Sequence, residues 1–96
     1  MSLKAGKAIK KVEGGKLVRV DALFDTQLVQ VTITGDFFLY PEEALAAIEN
    51  ALKGASLPLE RASLTSKVQK IVEEMHATLV GFSPEDLVAI LEEAVS

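Results

Sequence analysis

Few side chains in this sequence could carry chemistry, and their spacing decides between reaction and packing. His76 is the only histidine. As a general base it would need a hydroxyl or thiol held beside it. In a helical reading it instead lies one turn from Val72 and Leu79, at the border of an apolar stripe, which makes it a packing residue. The acid pairs Glu42-Glu43, Glu73-Glu74 and Glu92-Glu93 are neighbours in sequence, so a helix turns their members about 100° apart and no pair shares a proton. One histidine, no cysteine, and aspartates without the spacing of a calcium loop leave no metal set. Ala5-Gly6-Lys7-Ala8 is the nearest approach to a phosphate loop, and it lacks the second glycine and the hydroxyl. The chain is read as having no catalytic residue and no metal or cofactor site of its own.

What remains is a cluster of aromatics. Phe37, Phe38 and Tyr40 are three of the chain's five aromatic residues, and they fall within four positions. Gly35 before them suits a strand end that needs positive φ, Asp36 can accept from nearby backbone N–H groups, and Pro41 suits the first position of a helix. Two readings stand side by side. In one, the segment is a tight strand-to-helix corner whose rings plug the end of the core. In the other, Phe37 and Phe38 point to opposite sides, as successive residues of an extended segment do, so one packs and one projects as an anchor for a partner.

The elements around this corner follow from periodicity. Val18, Val20, Ala22 and Phe24 alternate with Leu17, Arg19, Asp21 and Leu23, and Val29, Val31 and Ile33 alternate with Gln30, Thr32 and Thr34. With Gly14-Gly15 as a hairpin turn, the pattern predicts strands over about 7–12, 16–24 and 28–34. After Tyr40 the period becomes helical. Helices are predicted over about 41–53, 66–79 and 84–95, the second opened by Ser66 and Gln69 at capping-box spacing, the third by Ser83-Pro84-Glu85-Asp86. The expected architecture is a single α+β domain over 1–96, a three-stranded antiparallel meander covered on one face by about three helices.

Composition narrows the partners. The 96 residues carry a net charge of -4, but residues 1–20 hold six bases against Glu13 alone, and the rest holds thirteen acids against four bases. That polarity would draw an acidic partner to one end, or it keeps an edge strand from pairing with other chains. An acidic pI near 4.9 without aromatics among the bases points away from nucleic acid. No apolar run approaches a membrane span and the amino terminus lacks the order of a secretory signal, so a cytoplasmic location is expected.

The runs "GKLVRVDALFD", "VTITGDFFLYPEEALAAIENALKG" and "FSPEDLVAILEEA" resemble the accessory, carboxy-terminal domain of lipoate-protein ligase, a separate small subunit in archaeal two-component systems. The resemblance covers roughly residues 7–96, and Gly35-Asp36-Phe37-Phe38 with Tyr40-Pro41-Glu42 is its most specific part. It implies a non-catalytic chain that supports ATP-dependent activation of lipoate to lipoyl-adenylate by a catalytic domain, before transfer to a lysine of a lipoyl carrier domain. Lipoate, ATP and magnesium are then implied for the complex, none of them for this chain alone. Asp36, Phe37, Phe38 and Tyr40 become the expected partner interface, with Lys16 and Arg19 near an acidic partner or the phosphates and Gly35 and Pro41 as the structural corner. The alternative is a small adaptor that binds another protein through the same aromatics. The architecture also resembles iron–sulfur scaffold proteins, whose cluster chemistry needs the thiolates this sequence lacks.

Overall fold

Alternation drives the first third of the chain into strands. Val18, Val20, Ala22 and Phe24 are buried, while Arg19, Asp21 and Leu23 between them are only half-buried. They belong to β2 (Leu17–Phe24), the centre of an antiparallel sheet in the order β1-β2-β3, with β1 at Lys4–Lys11 and β3 at Leu28–Gly35. The computed structural model describes residues 3–12, 14 and 16–96. The expected Gly14-Gly15 turn is therefore seen at Gly14, with φ +95°, while Gly15 lies outside the described residues. The Val12 N–H donates to the Lys16 carbonyl at 2.8 Å, so the chain doubles back there.

The remainder runs β4 (Phe38–Tyr40), α1 (Glu43–Leu52), α2 (Arg61–Glu74), β5 (Thr78–Val80) and α3 (Pro84–Ala94). The class is α+β, with a three-stranded antiparallel sheet and three helices, as expected. Packing refines the cover: α1 lies on β3, α3 lies on β1 and β2, and α2 rests across α1 and α3. Val18, Val20, Ile33, Ile48, Leu52, Leu87 and Leu91 are fully buried in the layer they share. Burying such a side chain is worth about 1.5–3 kcal/mol, which holds these short helices more firmly than propensity does.

Several boundaries differ from the periodicity. The first strand begins at Lys4, because β2 offers partners as far as Phe24 and lysine, alanine and glycine carry no alternation of their own. Pro41 precedes α1, and its carbonyl accepts from the Ala44 N–H at 3.0 Å in a turn before the helix starts at Glu43. The second helix starts at Arg61 rather than Ser66, so Ser66 is interior and caps nothing. Arg61 is held by Glu92 of α3, its Nε at 2.8 Å, and buried Leu64 anchors the added turn.

That helix also ends early. The His76 N–H donates to the Glu73 carbonyl at 3.2 Å and the Ala77 N–H to the Val72 carbonyl at 2.8 Å, a Schellman closure with His76 in the left-handed region at φ +50°. His76 is exposed and terminates the helix instead of bordering its stripe. Leu79 then lies in β5, which pairs antiparallel with β4. Three residues are too few to show a period, and Val72, Met75 and Leu79 happen to match helical spacing, which is why this strand reads as helix.

Candidate functional site

The corner after β3 is built by a close approach of two backbones. A Cβ on Gly35 would stand 2.1 Å from the Leu17 carbonyl oxygen, and its φ is +149°, so only glycine fits. The Asp36 N–H donates to that same carbonyl at 2.9 Å and carries the β2–β3 ladder one step further. The Asp36 side chain is exposed, and among the described residues its carboxylate accepts no hydrogen bond.

From there successive side chains alternate. Phe37 turns inward and meets Phe82 edge to face, ring centres 4.8 Å apart and planes at 81°. Phe38 turns outward and is 55% exposed. Leu39 packs on the core, and Tyr40 is outward again, 64% exposed. Pairing with β5 completes the face: Phe38 stands opposite Val80 and Tyr40 opposite Thr78, while Leu39 and Leu79 share the inner side. Val80 is half exposed, so Phe38, Val80 and Tyr40 form an apolar patch on a two-stranded ribbon. Large apolar groups grouped in this way are the material of a contact surface.

Beside the patch lies an open groove of about 460 Å³, lined by Phe37, Phe38, Leu39, Tyr40, Glu42 and Leu45. It runs between β4 and the first turn of α1. Glu42, the N-cap residue of that helix, makes no side-chain capping bond.

The expected basic neighbours part company. Lys16 joins the corner, since a Cβ on Gly81 would lie 3.1 Å from Lys16 Cγ and 3.1 Å from Phe37 Cβ. Arg19 does not. It sits on the sheet face opposite buried Val18 and Val20, where its Nε donates to Asp21 Oδ2 at 2.8 Å and its Nη2 to Oδ1 at 3.0 Å. This two-pronged bond holds the Asp21 carboxyl below its ordinary range; partial burial opposes it, and the charges of Arg19 and Lys7 add to it. The Arg19 guanidinium is held above its own value by the same bond. Lys10 is engaged as well, 2.8 Å from Glu93 of α3.

The structure thus brings together Lys16, Gly35, Asp36, Phe37, Phe38, Tyr40 and Pro41, while Arg19, opposite Thr34 in the register, is paired with Asp21. Sequence reasoning missed Val80 and Glu42 as members of this surface. The run Thr78-Leu79-Val80 before Gly81 was the available signal for the strand that carries Val80. Among the described residues, no group of three or more histidines and acids is placed to hold a metal ion. No described helix is long and apolar enough to cross a membrane.

No model of a known protein family matches the chain. A curated relative, "Lipoate-protein ligase A subunit 2" of Thermoplasma acidophilum, is 29% identical over 79 residues, covering 78% of this chain and 76% of the relative. A solved chain from the same organism, described as an archaeal lipoylation system with a bi-partite lipoate protein ligase and its E2 lipoyl domain, superposes with a TM-score of 0.68. That superposition covers 94% of each chain at 23% identity, and it shows a shared fold. The resemblance to the small chain of an archaeal lipoate-protein ligase therefore stands across most of the sequence.

Proposed function

We propose that this chain is the accessory, non-catalytic subunit or carboxy-terminal domain of a lipoate-protein ligase. In this reading it joins a catalytic subunit and supports the ATP-dependent conversion of lipoate to lipoyl-adenylate, which precedes transfer to a lysine of a lipoyl carrier domain. The observation that carries the reading is the 29% identity to a ligase subunit 2 through most of both chains. The reading assigns lipoate and magnesium-bound ATP to the catalytic subunit.

The aromatic corner gives the proposal a mechanism. Adenylation needs a site closed to water around charged phosphates, and a small domain docked over such a site supplies closure without contributing a reacting group. Phe38, Val80 and Tyr40 are the docking face in this account. Asp36 and Lys16 provide polar contacts at its margin, and Phe37 with Phe82 holds the ribbon rigid behind it. Arg19 is bound to Asp21 on the sheet surface.

The test is lipoate-dependent pyrophosphate exchange by the catalytic ligase domain of the same source, with and without this chain. Exchange that appears or rises steeply only when both are present is the expected result. A catalytic domain indifferent to the chain would leave an adaptor for some other protein as the better account.

A further inference from the structure

We infer that the groove between β4 and α1 receives an arginine side chain from the partner protein. The inference rests on the accessory-subunit reading for the identity of that partner, and on the groove alone for the chemistry of what enters it. Its inner wall is apolar, with Leu39 and Leu45 both packed against the core. Its rim carries the exposed rings of Phe38 and Tyr40 and one carboxylate, that of Glu42. The ion pairs among the described residues are Lys10 with Glu93, Arg19 with Asp21 and Arg61 with Glu92, so Glu42 is engaged in none of them. It makes no capping bond either, which leaves its oxygens free to accept.

Each part of this lining fits a different part of one side chain. A three-carbon stem lies along leucines, a planar guanidinium stacks on aromatic faces, and its fork of N–H groups bonds a carboxylate. Lysine would answer the charge but cannot stack in the same way. A purely apolar side chain would bury Glu42 beside it without a partner, which is costly.

Two measurements test the inference separately from the reading beneath it. The first titrates the isotope-labelled full chain with Nα-acetyl-arginine methylamide and, in parallel, with its norleucine counterpart, following backbone amide shifts. The expected result is shifts concentrated at Phe38, Tyr40 and Glu42 with the arginine compound only, and lost in Glu42→Gln. Equal shifts from both compounds, or none at the groove, overturn the inference. The second compares binding of the catalytic ligase subunit to the wild-type chain, Phe38→Ala and Glu42→Gln. The expected result is a loss of about tenfold for Glu42→Gln, reduced by added salt. If Phe38→Ala weakens binding and Glu42→Gln does not, the docking face stands and the arginine is overturned. If the catalytic subunit does not bind at all, the accessory-subunit reading falls, and the amide titration still decides the chemistry of the groove.

Discussion

The carboxylate of Glu49 in α1 accepts a hydrogen bond from the backbone N–H of Ile33 in β3, at 2.8 Å. β3 is an edge strand, and an edge exposes a row of N–H and C=O groups that other chains can pair with. A side chain from the covering helix therefore occupies the edge at Ile33, whose own side chain is buried beneath α1. The same contact fixes the helix against the strand that leads into the aromatic corner.

Removing that carboxylate is expected to loosen the edge. Glu49→Ala should lower the unfolding free energy by about 1.5–3 kcal/mol, the range for a hydrogen bond to a charged group. Urea denaturation reads the loss, and amide exchange at Ile33 should speed up more than at Val20 in the sheet centre. Unchanged exchange at Ile33 would mean the bond does not persist in solution.

Phe37 and Phe38 should behave oppositely although they are neighbours. Phe37→Ala removes the ring packed on Phe82 and is expected to cost about 2–4 kcal/mol of stability, somewhat less than a fully buried phenylalanine. Phe38→Ala should change stability by no more than about 0.5 kcal/mol while weakening association with a catalytic ligase subunit. Denaturant melts and calorimetric binding on the two variants separate packing from docking. A Phe38 variant that unfolds early and binds normally would make the corner pure core.

Gly6 lies where β1 passes the end of α3, and a Cβ there would stand 1.8 Å from the Ala94 carbonyl oxygen. The clashing atom belongs to backbone, which has no flexible end to move away. Gly6→Ala is expected to cost about 1–3 kcal/mol as an overpacked site, visible as a lowered urea midpoint. Stability equal to wild type would show that α3 can slide on β1.

His76 terminates α2 from a conformation that glycine adopts more easily. Exchanging it for glycine removes a left-handed penalty of about 1 kcal/mol, so His76→Gly should raise the thermal midpoint, despite the usual entropic cost of added glycine. A lowered midpoint would indicate that the imidazole makes a contact worth more than the strain.

The pair of Arg19 and Asp21 predicts the sign of a pH effect. Because the Asp21 pKa is lowered in the folded chain, its contribution to stability is present above the unfolded carboxylate pKa of about 3.9. It is lost as pH falls below that value and through the folded pKa. Asp21→Asn should therefore make the stability profile flatter on its acid side, with the difference from wild type vanishing at the lowest pH. Arg19, raised from an already high value, adds no titration at working pH. Parallel urea melts at several pH values read the slope, and an unchanged acid limb would mean the pair is open in solution.

The residues alone determined whatever rests on local pattern. Alternation from Leu17 to Phe24 placed the central strand. Ser83 before Pro84 marked an N-cap, which the structure shows as a capping box with Asp86. The string from Gly35 to Glu42 carried the resemblance to a ligase accessory chain. Tertiary structure decided what depends on partners distant in sequence. Thr78–Val80 is a strand only because Phe38–Tyr40 lies beside it, and two three-residue segments cannot announce a ribbon that neither forms alone. Arg61 extends α2 because Glu92 meets it from α3. Arg19 looked available from its position among bases, but a strand sets residues two apart on one face, and Asp21 was there to bind it. The groove by Glu42 exists only once β4 and α1 are folded together, since concavity belongs to surfaces brought together and has no counterpart in the order of residues.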